Sequence, residues 1–571
     1  MSANVRNEPL REFSPDVDIV ERIRGDLAGT DPVVPGPFGP RRMIYADYTA
    51  SGRALDFVEA AIGRVVAPYY ANTHSESSFS GRQTTRLREE ARASIRRAVG
   101  ADARQAVIFC GSGATAGVNR LALAMGLRLP ANQRDRDLLL AGVPEADRPV
   151  IFIGPYEHHS NDLPWRESLA TIVRIPLDAG GRPSLDVLGR ELEAHRDRPL
   201  RIGAFSAASN VTGVCTDVRA LAQLLHQHDA LCFLDYAAGA PYLPIDMAEG
   251  APGRGDHCDA IFLSPHKFVG GPGASGVLVA DRKLFGNAVP AMPGGGTVQF
   301  VTPTGHRYID DIETREESGT PAIVGDIRAG LALQLKQDIG IETIAAAERA
   351  AIDRALGRWR QLPQIEILGP ADPERLAIFS FNIRSGEKML HHGFVVAVLN
   401  DLFGLQVRGG CSCAGPYGHD LLGIDTAQSE RYRQLIESGL GLFKPGWARL
   451  GLNFFFDLAT IDRIIDAVAF VARRGRDLLP LYAPNLETGL WQAEGRQVPI
   501  RYGFDDLRAA WLSDARREAT GIAPPSFEAC LRQAEDLADR ARQVRPARLA
   551  VPAAADALRW FWLPSERTDA A

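Results

Sequence analysis

Ser264-Pro-His-Lys-Phe-Val-Gly-Gly-Pro-Gly273 places a lysine just beyond the apolar run Ala260–Leu263. A lysine at a strand exit, preceded by histidine and followed by small or rigid residues, sits where a cofactor can approach the backbone. Its amine can form a Schiff base with an aldehyde, and desolvation keeps that amine nucleophilic. Taken alone, the segment reads equally as a surface lysine on a hairpin.

Three other segments end apolar runs with chemistry. In Leu234-Asp235-Tyr236 a single acid closes a buried-strand pattern at the edge where open α/β sheets bind ligands, and a carboxylate there can hold a pyridine nitrogen protonated. A turn former or N-cap is the plainer reading of such an Asp. Cys110-Gly-Ser-Gly-Ala-Thr-Ala-Gly-Val-Asn119 runs from strand through glycines into a helix pattern, which aims free N–H groups and the Thr115 hydroxyl at a phosphate. It also fits the dinucleotide fingerprint, but Arg128 to Asp137 is polar and Pro-containing where the second strand and its ribose-binding acid belong. Tyr156-Glu-His-His-Ser-Asn161 follows a further strand exit and offers an imidazole to stack on a flat ring or move protons.

The last segment is Arg408-Gly-Gly-Cys-Ser-Cys-Ala-Gly-Pro-Tyr-Gly-His419, a glycine-rich loop with two thiols. With the paired histidines it raises the thought of zinc, but the spacing fits no common structural zinc pattern, so no metal is expected.

The elements that must position these groups are legible as a class. Short apolar runs at Ala106–Cys110, Val150–Gly154, Ile202–Ser206, Ala230–Leu234, Ala260–Leu263 and Gly276–Ala280 read as strands buried on both faces. Helical patterns such as Leu185–Ala194 and Val218–His228 separate several of them, which predicts an α/β fold with a largely parallel sheet. Arg86–Val99 is an amphipathic helix pattern, and long helix patterns follow at Ala322–Gln337 and Ile341–Leu362. A strand is expected at Leu376–Ile383, and helices at Asp505–Thr520 and Ser526–Val544, the second begun by a Ser N-cap. The partition read from this is an N-terminal segment 1–35, a large domain 36–320, a smaller α+β domain 321–475 and a helical extension 476–571.

Composition bounds the partners. With 45% hydrophobic and 23% charged residues the chain is an ordinary globular protein, and a formal charge of -6 argues against nucleic acid. No uncharged apolar run approaches the ~18 residues that span a bilayer, and no signal core opens the chain. Seven cysteines, an odd and small number, argue against a disulfide framework. A cytoplasmic enzyme with no membrane partner is expected.

Taken in order, these segments resemble the pyridoxal-phosphate enzymes of the class V aminotransferase family, fold type I, nearest the cysteine desulfurase and selenocysteine lyase branch, over roughly residues 43–470. The resemblance implies pyridoxal 5'-phosphate as cofactor, with Lys267 as the lysine that carries it and Asp235 on its ring nitrogen. It implies His158 stacked on the ring, Ala114, Thr115, Ser264 and His266 around the phosphate, and Asn210 near the ring hydroxyl. Thr320, in Gly319-Thr320-Pro321, would reach the phosphate of a neighbouring subunit, hence a homodimer with shared sites. Arg449 would grip the carboxylate of a small amino-acid substrate, with Arg408 at the same mouth, and Cys413 would be the nucleophile that takes sulfur as a persulfide for an acceptor protein.

Three departures stand out: Ala238 where the family usually has Gln, Cys411 where the nearest branch has His, and Gly415 where Gln is common. The function implied is removal of sulfur or selenium from an L-cysteine-type amino acid, with Lys267, His158 and Cys413 catalytic. The alternative is another reaction of the same cofactor class, such as β-elimination from a cysteine conjugate, epimerisation or transamination, in which Cys413 is dispensable.

Overall fold

The computed structural model describes residues 18–27, 32–73, 75–371, 374–496, 498, 502–512 and 523–566. Its centre is a seven-stranded sheet built from β1 (Gln105–Cys110), β2 (Val150–Ile153), β3 (Thr171–Arg174), β4 (Arg201–Ser206), β5 (Leu231–Asp235), β6 (Ala260–Leu263) and β7 (Gly276–Asp281). The order is β1-β7-β6-β5-β4-β2-β3. Only β7 runs against its neighbours, pairing Val277 with both Phe109 and Leu263, so the other six strands all end at one edge. β1 touches β7 alone and is antiparallel to it, which removes the parallel βαβ unit that a dinucleotide fingerprint needs.

Alternation puts Val107, Phe109, Phe152 and Leu234 into one core and Ile108, Cys110, Ile151 and Phe233 into another. Each face therefore needs a helical cover. On the first face lie α1 (Phe79–Ala98) through Ile95, α3 (Leu185–Ala194) through Leu188 and Leu192, and α4 (Val218–Gln227) through Leu221 and Leu225. α5 (Ile323–Ile339) joins them through Ala329 and Leu333, while α2 (Gly113–Ala124) covers the opposite face with Ala114, Val118 and Leu121. α1 and α5 pack closely enough that a Cβ on Gly330 would lie 2.6 Å from that of Ala91. Between them Arg88 pairs with Asp326 at 2.7 Å and Arg92 with Glu317 at 2.8 Å.

After α6 (Ile341–Trp359) comes a second, antiparallel sheet: β8 (Ile365–Ile367), β9 (Ile378–Ser385), β11 (Arg408–Gly410) and β12 (Trp447–Gly451) in the order β8-β9-β12-β11, with β10 (Lys388–Leu390) on β9. α7 (His392–Phe403), α8 (Gly415–Leu422), α9 (Thr426–Glu437) and α10 (Leu458–Leu478) complete it.

The segment after α10 holds helix and strand. β13 (Tyr482–Pro484) and β14 (Trp491–Ala493) form a hairpin, and α11 (Phe527–Ala541) is capped by Ser526, whose Oγ accepts from Ala529 N at 3.2 Å. Of the helix expected at Asp505–Thr520, Phe504–Leu512 is helical and the remainder lies outside the described residues. α11 buries Cys530, Ala534, Leu537 and Ala538 in one core with Ile464, Val468 and Val471 of α10. Further on, Trp560–Trp562 pairs beside β10, with Met389 N donating to Trp560 O and Trp562 N to Met389 O. Phe561, wholly buried, belongs to that same core.

Candidate active site

Because β1, β2, β4, β5 and β6 end at one edge, the residues just after them converge. A cavity of about 230 Å³ opens there, and every expected site residue except Thr320 lines it. Lys267 and His266 stand on the turn after β6, with Ser264 at its start, and Asp235 ends β5. His158 follows β2, Asn210 follows β4, and Ala114 with Thr115 opens α2. Arg449 comes from β12, Arg408 from β11, and Cys413 from the loop between β11 and α8.

The anion end is assembled from backbone and hydroxyls. Gly113 is left-handed (φ +58), and a Cβ there would lie 2.6 Å from His266 Cε1 and 2.7 Å from Ser264 Oγ, so the close approach requires glycine. The Ala114 N–H donates to Ser264 Oγ at 2.9 Å, and Thr115 Oγ1 lies 2.6 Å from Ser160 Oγ. Ser160, which sequence reasoning missed, also sends its backbone N–H to His158 Nδ1 at 3.1 Å. That bond leaves the neutral imidazole with its proton on Nε2.

Burial sets the charges. It pulls His158 down to about 3 and His266 to about 4, each with help from the Lys267 cation, so both rings are neutral near pH 7. Lys267 falls to about 8, lowered by burial and partly restored by Asp235. Asp235 is raised by burial, against a bond from the Ala237 N–H at 2.7 Å. Beneath His158, Glu157 is pushed up to about 7 by burial while accepting from Ser206 and Asn161.

The substrate end holds the residue that the sequence reading missed most plainly. Arg408 and Arg449 are directly opposite each other on β11 and β12, a like-charge pairing that is unfavourable without an anion between. Asp47 supplies it: Oδ1 accepts from Arg449 Nη2 and Oδ2 from Arg408 Nε, both at 2.9 Å. Its position follows from a short parallel pairing of Ile44–Tyr45 with Leu405–Gln406, which carries Asp47 and Arg408 forward side by side. Arg449 Nη1 also donates to Asn210 O at 3.0 Å, and Asn210 Nδ2 to Ser412 O at 2.8 Å. Three buried polar atoms at this end have no hydrogen-bond partner among the described residues: Arg449 Nε, Asn210 Oδ1 and Ser412 Oγ.

Cys413 is exposed on its loop, and both it and Ser412 have left-handed backbones (φ 55 and 53). Thr320 is exposed and accepts from Asn72 Nδ2 at 3.4 Å. His419 has both ring nitrogens engaged, with Gly415 O at 2.8 Å and Ser429 Oγ at 2.7 Å, so it does not turn toward the thiols as a ligand.

The Aminotransferase class-V family model matches residues 44–429. The chain belongs to that family. It is 29% identical over 378 residues to a probable cysteine desulfurase of Halalkalibacterium halodurans, covering 66% of this chain and 84% of that protein. It is also 29% identical over 401 residues to a cysteine desulfurase of Klebsiella pneumoniae, covering 70% and 89%. Among solved structures, the apo cysteine desulfurase of Thermococcus onnurineus superposes with a TM-score of 0.63 at 22% identity, covering 81% of this chain and 99% of that one. CsdA, a cysteine desulfurase of Escherichia coli, gives 0.58 at 20% identity over the same shares. The fold is thus that of the fold type I enzymes, and this class V member is an enzyme of the pyridoxal-phosphate-dependent group. Among the described residues no helix is long and apolar enough to cross a membrane.

Proposed function

We propose that the protein is a cysteine desulfurase that removes sulfur, or selenium, from an L-cysteine-type amino acid and carries it as a persulfide on Cys413. The observation that carries this reading is that one cavity combines a lysine, an acid at a strand end and a neutral histidine with an arginine pair and a thiol on a turned loop.

The residues fit pyridoxal 5'-phosphate. The N-terminus of α2 with Thr115, Ser264 and neutral His266 suits a phosphate, the unpartnered Asn210 Oδ1 suits a ring hydroxyl, and Asp235 suits a protonated ring nitrogen. When bound, the group supplies an electron sink for carbanion charge.

The chain's own residues divide the remaining work. Arg449 and Arg408 receive the substrate carboxylate in exchange for Asp47. His158, held by Ser160, presents its face to the ring. With a pKa of about 3 its conjugate acid is scarce at pH 7, whereas Lys267 near 8 exchanges protons readily there. Lys267 therefore moves the α-proton, and His158 positions. Cys413 Sγ bonds to the substrate sulfur as the C–S bond breaks, and the carbon is protonated and leaves as alanine. The thiol proton and both electron pairs are conserved, so no oxidant is needed. The same reading makes the protein a cytoplasmic homodimer in which Thr320 reaches the partner's phosphate, with an acceptor protein taking the sulfur.

Incubation with L-cysteine and a reductant should yield alanine and sulfide in equal amounts. No product above a Lys267→Ala control would overturn the reading. Undiminished consumption of cysteine in Cys413→Ser, without alanine, would replace it by a β-elimination, epimerisation or transamination that needs no thiol.

A further inference from the structure

Cys413 opens on the cofactor cavity, but Cys411 does not. It lines a second cavity, of about 460 Å³, between α8, α9 and β12. The adjacent histidines divide in the same way, His158 lining the first cavity and His159 the second. The partition is one chain thick and stitched across: His159 N donates to Cys413 O at 2.8 Å, and Gly415 N to His159 Nε2 at 3.1 Å. In extended chain, residues two apart face the same side; the left-handed pair Ser412 and Cys413 breaks that alternation.

The second cavity is lined by Leu422, Ile424 and Ile436, with exposed Lys444 at its rim. Trp447, wholly buried, also lines it, and its indole Nε1–H has no hydrogen-bond partner among the described residues. These walls suit a small molecule with an apolar body and one anionic or hydrogen-bond-accepting head.

We infer that Cys411 is a delivery cysteine: sulfur passes from Cys413 to Cys411, two residues back on the same loop, when that loop turns, and is taken off in the second cavity by a small thiol with an apolar body. The inference rests on the persulfide reading above. In the first step the Cys411 thiolate attacks the terminal sulfur of the Cys413 persulfide, forming a new S–S bond as the old one breaks. Cys413 leaves as thiolate, and the sulfur stays at the same oxidation level. In the second, the acceptor thiolate attacks that terminal sulfur and departs as its own persulfide, restoring the Cys411 thiolate. Separate cavities keep the acceptor thiol, a nucleophile toward aldehydes, away from the cofactor.

The test is a single turnover of the holoenzyme with one equivalent of ³⁴S-labelled L-cysteine, quenched at intervals by alkylation, with alanine and the labelled peptide measured in each sample. Label should appear on Cys413 and then on Cys411. In Cys411→Ser it should stay on Cys413 with an unchanged alanine burst and cofactor spectrum. With thiophenol as acceptor, Ile436→Trp, which adds bulk at the cavity wall, should keep the burst and lose at least fivefold in steady turnover. An alanine burst with label confined to Cys413 at all times, or wild-type turnover in Ile436→Trp, overturns the relay and leaves the desulfurase reading standing. Absence of the burst sinks the desulfurase reading, and the relay with it.

Discussion

The strand-end cavity and the layer that α10 forms with the chain after it both hold arginines in little-exposed places, and they treat them differently. In the layer, Arg559 pairs with Asp556 and Glu566, each at 2.6 Å, and also donates to Phe561 O. Arg474 meets Asp477 at 2.9 Å and Asp539 at 2.6 Å, together with Glu535. The Trp560 indole N–H, without a hydrogen-bond partner among the described residues, lies there among rings, stacked 5.3 Å from His391. In the cavity, Arg449, Asn210 and Ser412 each keep a buried atom without a hydrogen-bond partner among the described residues. A fold that can satisfy its polar groups generally does so. Where it leaves several open together, they are held for a ligand, so the layer reads as structure and the cavity as function.

The comparison can be broken in four ways, taken from the largest expected effect. Lys267→Ala should lower alanine formation by about 10³-fold or more, since on the proposed reading one residue both carries the cofactor and moves the proton. Its melting temperature without cofactor should not fall, because the substitution removes a charge that burial disfavours; a clear drop would make Lys267 structural. Phe561→Ala should do the reverse. Emptying a fully buried phenyl site costs about 3–5 kcal/mol, read as a lower denaturation midpoint, while kcat/KM under native conditions stays at wild type. A parallel loss of kcat/KM would show the layer to be coupled to the cavity.

Arg449→Lys tests the open end of the cavity. A point charge cannot reproduce the planar fork, so kcat/KM for cysteine should fall by about 10–100-fold, chiefly through KM. The smallest effect is in pH. Lys267 must be neutral to capture an aldehyde, so uptake of pyridoxal phosphate by the apoprotein should level off above about pH 8. Below that it should fall about tenfold per unit, as the protonated fraction grows. An inflection near 10.5, the ordinary lysine value, would mean that burial does not act on this amine.

Much of this arrangement is legible in the residues. β2 and β6 are apolar throughout, and β4 and β5 apolar between their ends, because both faces are covered, and each ends one residue or less from its sequence expectation. β3, Thr171–Arg174, escapes notice because it is a half-buried edge strand with Thr and Arg among its four residues. Asp47 escapes for a different reason. The strand before it is two residues long, too short for any periodicity, and its arginine partners lie 361 and 402 positions away. That Cys411 and Cys413 face different cavities is illegible because Ser412 and Cys413 adopt positive φ, which side-chain types other than glycine rarely signal. Strand-end chemistry reads from sequence because a local pattern places it. Chemistry made by two distant segments meeting does not.

Asp47 has one more consequence, for ionic strength. Two bare arginines at a cavity mouth would draw in any anion, and salt would weaken that pull over a Debye length of about 10 Å at 0.1 M. Here one carboxylate already sits between them, at 2.9 Å from each. On the proposed reading a substrate carboxylate takes the place of Asp47 between the arginines, so it approaches a pair whose charge is already partly offset. Capture of the amino acid should therefore depend only weakly on added salt, and chloride or phosphate should be poor competitors for this end of the cavity.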